Sequence, residues 1–291
     1  MPLSQYAEDE LDKFLYAGLN NASPALFLEP AGEPGLVDHH GIVAKVYSVP
    51  LSVFIGGMTA VILELAEPRV RAGVWGHSIF KTDPVLRLRR TGLAAMVTVY
   101  APASVARETI AQVHRRHAKV HGQTPEGLSY SALDPELLSW VHATATYGFI
   151  ASYDRYAQPL SPIQWDEAMG ELCPVAEAYG VKDPPLSQAQ LREVLEAMIP
   201  RLGPSAALTE FLDIMRRAPV LPPGGRWLQP LLVRAAVELV PETIRKNLGL
   251  ERQGLHPVGR HALRLMIGAS RMIPLRNHPA ELARQRLGLV A

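Results

Sequence analysis

The sequence predicts an all-α fold: a single-domain helical bundle of about a dozen helices. Three observations predict it. Strand signals are scarce, with no alternating Val/Ile/Thr run bounded by Asn-Gly or Asp-Gly turns. Apolar residues recur instead at three- and four-residue spacing along most of the chain. Helix punctuation is frequent, with Asp-Pro pairs that read as N-cap and first helical residue, and serines that read as caps.

Taken in order, periodicity places helices over 8–19, 36–46, 50–66 and 69–76. Asp83-Pro84 opens the next, which runs through Val99 until Ala101-Pro102 stops it. Ser104 then caps a helix that the pattern carries to His121, with Gly122 as its stop signal. Asp134-Pro135 opens another that continues to Tyr153. Helices follow over 163–179, 187–199, 205–217, 227–239 and 256–272, with short ones over 241–248 and 279–286. Pro/Gly clusters at 29–35, 182–185 and 221–225 separate them, and none is long or polar enough to be an interdomain linker. The chain therefore reads as one domain over 1–291, with 1–30 as an N-terminal extension. Aromatic residues are only 7% of the chain, so the core is expected to be mainly Leu, Val, Ile and Ala.

Composition excludes several function classes. With 48% apolar residues, 20% charged residues and a net charge of +1, the chain is neither disordered nor a dedicated nucleic-acid binder. Cys173 is the only cysteine, which rules out an intrachain disulfide, a thiolate zinc site, an Fe–S cluster and covalent CxxCH haem attachment. It sits in Glu171-Leu172-Cys173-Pro174 without a basic partner and reads as a small buried hydrophobe. Residues 1–12 are acidic and mixed, without a basic n-region or apolar h-region, and a cytoplasmic location is expected. The apolar run over 48–66 approaches membrane-spanning length. Pro50, Gly56-Gly57, Thr59 and Glu64 mark it as a buried core helix, so no membrane span is expected.

Three constellations carry chemistry. The first is the stretch from Val113 to Gly122, whose His114, His117 and His121 fall at i, i+3 and i+7. On one continuous helix they point within roughly 60° of one another. Val113, Val120 and Ile110 make that face partly apolar, and Arg115, Arg116 and Lys119 surround it. Such a face suits a planar macrocycle: apolar contact for the ring, an imidazole for the iron and cations for carboxylates. The same pattern also describes an amphipathic helix with surface histidines, favoured by the macrodipole at its C-terminus. A di-metal carboxylate site lacks its Glu-x-x-His pairs, and a zinc hydrolase lacks His-Glu-x-x-His.

The second constellation is Ser78 to Thr91, where Arg87 and Thr91 share a helix face with Arg90 beside them. Guanidinium and hydroxyl groups there either hydrogen-bond bound oxygen or a propionate, or form a solvated basic face. The third is Ser139 to Tyr147, with His142 in mid-helix among small and aromatic residues. His142 reads by default as a satisfied core histidine, and His77 as a distal group or a loop residue. No GxSxG elbow, P-loop or GxGxxG turn is present.

In this order the constellations resemble the DUF2236 family, which includes the catalytic domains of latex-clearing rubber oxygenase and of the fungal mycophenolic-acid-pathway oxygenase. The resemblance runs through Gly56-Gly57-Met58-Thr59 to Glu67-Pro68, Gly76-His77-Ser78-Ile79-Phe80 with Asp83-Pro84, Arg87-Leu88-Arg89-Arg90-Thr91, Val113 to Gly122 and Leu138 to Thr144. It covers about residues 30–155 and continues more loosely through 232–250 and 273–276.

The resemblance implies a globin-like core that holds haem b non-covalently, with O2 or peroxide as co-substrate. It implies His117 as the iron ligand, in His117-Ala118-Lys119-Val120, and Arg87, Arg90 and Thr91 as the distal group. Arg90 stands where the rubber enzymes carry a lysine. The base used in rubber cleavage is expected a turn or more before Asp83-Pro84, where this chain has Ala72, Gly73 and Val74, so rubber-like cleavage is not supported.

The function expected is oxidation of a small lipophilic metabolite by a haem-dependent oxygenase or peroxygenase, with an electron donor as a possible further partner. Arg90, Thr91 and His77 are the expected catalytic groups. Arg87, Arg90, His114, Arg116, His121 and His142 are expected around the cofactor. The alternative is a haem-binding or sensing protein without turnover, whose distal position would be filled by His77 or His142.

Overall fold

A computed structural model describes residues 3–20 and 22–289. The chain runs through α1 (Leu3–Tyr16), α2 (Ala25–Leu28), α3 (Ile42–Tyr47), α4 (Pro50–Ala66), α5 (Pro68–His77), α6 (Pro84–Tyr100) and α7 (Ala103–His117). A hairpin follows, β1 (His121–Gln123) and β2 (Ser129–Ser131), then α8 (Pro135–Ser152), α9 (Pro162–Glu171), α10 (Cys173–Ala178) and α11 (Gln188–Met198). The chain ends with α12 (Ala206–Arg217), α13 (Gln229–Leu239), α14 (Glu242–Asn247), α15 (Pro257–Ser270) and α16 (Pro279–Arg286). The all-α prediction is borne out.

The molecule is organised around the antiparallel pair α4 and α8, with α13 packed across α4. Their close approach is a glycine effect. A Cβ on Gly56 would lie 2.7 Å from the carbonyl oxygen of Gly148, and one on Gly148 would collide with the backbone of Gly56. The few polar groups on this apolar pair are satisfied internally, as burial demands. Ser52 Oγ donates to Ser152 Oγ (3.2 Å), and Ser152 Oγ donates to Ser52 O (2.8 Å). Thr59 Oγ1 reaches Ile55 O (3.0 Å) and Ala236 O (3.2 Å). Gly148→Ala is expected to wedge the pair apart and cost about 1–3 kcal/mol or more, the usual price of overpacking. Urea denaturation measures it directly.

The apolar run is thus a core helix, as its Gly pair and Thr59 suggested. Buried Glu67 ends it, accepting from Val70 N (2.7 Å) as the N-cap of α5, and α5 leaves at 112° to α4. No single helix among the described residues is long and apolar enough to cross a membrane.

Three local differences from the sequence reading have physical causes. The helix expected over 36–46 starts only at Ile42, because the Glu171 carboxylate of α9 caps Ile42 N (2.9 Å) and Val43 N (2.8 Å). The helix expected over 163–179 breaks at Leu172, since Pro174 has no N–H with which to continue the ladder. The helix expected to reach His121 ends at His117, and 121–123 instead pair with 129–131, His121 opposite Ser131. That hairpin closes through Gly127 at φ +84°, a left-handed conformation that favours glycine. At the C-terminal end, buried Arg286 ties α16 to α2 and α6 by donating to Phe27 O (2.6 Å) and Tyr100 O (2.8 Å).

Candidate functional site

α6 lies against α7, and α4 makes its principal contacts with α8 and α13. The candidate cleft is the region bordered by the C-terminal half of α4, the N-terminal half of α6 and the end of α7, where Arg87 acts on both Glu64 and His117. Its apolar walls are incompletely covered. Val61 one turn before Glu64, Ala94 two turns after Arg87, and Val113 one turn before His117 are all only half-buried. By contrast 96–100, further along α6, are fully buried.

Three charged or ligating side chains meet in this cleft. Arg87 interacts electrostatically with both Glu64 and His117. It nevertheless forms no ion pair with Glu64, and its Nε donates instead to Ser78 Oγ (3.1 Å). Burial dominates Glu64: desolvation pushes its carboxyl up to about 7, and the attraction of Arg87 recovers only part of that shift. Burial works against the charge on Arg87 as well. His117 is held below the ordinary imidazole range by burial first, then by His114 and Arg87. It is therefore neutral at pH 7, the form in which an imidazole nitrogen binds a metal.

The other predicted residues divide. His114 is half-buried on the same α7 face and stacks on Tyr179, ring centroids 6.3 Å apart. Arg90 is exposed one turn from Arg87, close enough to work against its charge, and Arg116 is exposed on α7. Thr91 is exposed, and its hydroxyl is spent within the helix on Arg87 O (3.0 Å). His77 is exposed at the end of α5, its Nε2 3.1 Å from Tyr130 Oη on the hairpin. His142 is pushed down to about 4 by burial and lies 3.5 Å from Thr146 Oγ1. The register of the central pair, Ser52 opposite Ser152 and Gly56 opposite Gly148, brings His142 within a turn of the level of Glu64.

His121 is a correction. On β1 it is exposed and off the α7 face, because the helix ends four residues earlier and Val120 turns into the hairpin. The continuous three-histidine face is consequently absent. Among the described residues, no group of three or more His, Cys, Asp or Glu side chains is arranged to hold a metal ion.

Glu64 is the residue that sequence reasoning did not place in the site. Its signal was present: it is the sole charge in the apolar stretch 48–66. A carboxylate kept in such a run is costly unless something uses it. The family resemblance points to α5, before Asp83-Pro84, for an acid, whereas Glu64 stands on α4.

The donor set is chemically compatible with an imidazole-held cofactor that carries carboxylates: it offers a neutral imidazole, an adjoining guanidinium, a carboxyl that titrates near neutrality and half-buried apolar side chains. The sequence model of the family described as "ER-bound oxygenase mpaB/B'/Rubber oxygenase, catalytic domain" matches residues 44–272, a stretch that holds the whole cleft. No curated protein and no solved structure matches the chain.

Proposed function

The chain belongs to the mpaB/rubber oxygenase catalytic-domain family, and from that premise we propose that it is a haem-dependent oxygenase acting on a small lipophilic molecule, with O2 or peroxide as oxidant. The oxygenase class follows from the family. The observation that carries the haem reading is that Arg87 lies close enough to act on both neutral His117 and Glu64. His117 would hold the iron, and Arg87, with Arg90 and Arg116 at the rim, would hold the carboxylates. Bound there, haem supplies the oxygen-activating redox chemistry.

The chain's own residues supply the rest. Arg87, fixed by Ser78, presents a guanidinium that stabilises negative charge developing in the cleft. Glu64 holds a proton below pH 7 and accepts one above it, the range in which a carboxyl serves as acid or base. Half-buried Val61, Ala94 and Val113, one or two turns from Glu64, Arg87 and His117, offer apolar contact.

The test is an absorption spectrum of protein purified with haem supply, before and after dithionite and carbon monoxide, followed by oxygen uptake with apolar candidate substrates. The expected outcome is a Soret band that shifts on carbon monoxide binding. Well-folded protein that takes up no haem and binds a metal ion instead would overturn the proposal. Low-spin iron that ignores carbon monoxide would favour a non-catalytic haem-binding protein.

A further inference from the structure

A second cavity lies at the other end of the central helix pair. It encloses about 460 Å³ and is lined by Arg155, Arg234, Arg245, Arg252 and Arg260, with Glu238, Glu251 and the loop 254–256. Arg155 follows Ser152, which sits opposite Ser52 near the start of α4, whereas Glu64 is near the end of that helix. Twelve residues of α-helix separate those two levels by about 18 Å, so this cavity is distinct from the cleft of His117.

Five guanidinium groups face two carboxylates here, a formal excess of three positive charges. One of the two carboxylates is already fully engaged. Glu238 is nearly buried, pairs with both Arg155 and Arg260, and accepts from Tyr156 Oη (3.2 Å). Two other arginines are oriented by neutral carbonyls rather than by carboxylates: Arg245 donates to Glu238 O (2.9 Å) and Arg234 to Gly254 O (3.2 Å). Donors remain over, since Nε of Arg245 and of Arg260 find no partner. The N-terminus of α15 opens onto the same cavity at His256 without a side-chain cap, which adds partial positive charge. Cations held in fixed positions without their counter-charge cost free energy that a surface needs no reason to bear.

We propose that this cavity binds a compact polyanion carrying two or more phosphoryl groups. Guanidinium forks arriving from α13, α14, α15 and the chain after α8 suit tetrahedral oxygens distributed in three dimensions better than one planar carboxylate. The lining contains no Phe, Tyr or Trp, so it lacks a large aromatic platform for a nucleobase, His256 being its one ring. An oligophosphate or a polyphosphorylated small molecule fits that chemistry.

Calorimetric titration of the full-length protein with pyrophosphate tests the proposal, alongside citrate as a polycarboxylate and inorganic phosphate as a single phosphoryl group. Arg234→Gln and Arg252→Gln are the variants, because both side chains are exposed and outside the core. Saturable one-to-one binding of pyrophosphate is expected, stronger than that of citrate or phosphate and weakened about tenfold or more by each substitution, as loss of a charge-assisted hydrogen bond implies. Circular dichroism checks that the variants fold. Absence of saturable binding, equal binding of citrate, or affinity unchanged in both folded variants would overturn it. The result is independent of haem content, so its failure would leave the oxygenase reading untouched.

Discussion

Protein carrying His117→Ala and expressed with haem supply is expected to lack the Soret band of the wild-type chain, and with it all oxygenase activity. The argument starts from protonation. An imidazole that stayed cationic would offer no lone pair, and His117 is kept neutral by its own burial and by the adjacent His114 and Arg87. It is also the ring that shares the cleft with Arg87, whereas His77 is engaged by Tyr130 and His121 lies exposed on β1. His117→Gly supplemented with free imidazole should regain the band, because the cavity left by the side chain admits the missing ligand. His121→Ala should keep it. A normal Soret band in His117→Ala would move the ligand elsewhere, with His114 and His142 the next rings to substitute.

That contrast between His117 and His121 shows what the sequence could and could not convey. Local signals act over a few residues, and where they decide the structure they were legible: the Asp-Pro openings of α6 and α8, and the full span 50–66, match the helices formed. Boundaries set by distant groups were not. The start of α3 depends on a carboxylate 129 residues away in sequence. The end of α7 depends on a hairpin whose second strand carries no strong strand pattern, its turn marked only by Pro125 and Gly127. The site divided on the same line. Arg87 and His117 could be singled out because each lies in a recognisable run. Glu64 could not be joined to them, because nothing within its helix says that Arg87 of α6 comes near it.

Replacing that carboxyl should produce the second large effect, and it is readable without knowing the substrate. Glu64 has a folded-state value near 7 against an ordinary 4.5. Between those values the native state binds more protons than the unfolded chain, so stability falls as pH rises from 4.5 and the loss is complete above 7. A shift of that size corresponds to roughly 3 kcal/mol at pH 8. Glu64→Gln removes the ionisation and keeps the shape. It is therefore expected to be more stable than wild type at pH 8 by up to that amount, and nearly equal at pH 4.5. Urea denaturation of cofactor-free protein across this range measures the difference, and parallel pH profiles for the two proteins would contradict it. Arg87→Gln supplies the converse test: removing the attraction that partly offsets desolvation should move the Glu64 transition to higher pH. If the carboxyl also handles a proton during turnover, Glu64→Gln should lower kcat by about 10²–10⁴ and erase the limb of the pH–rate profile near 7. A residue that stabilises the protein when lost, yet halts turnover, is one the fold carries at a cost for the sake of the cleft.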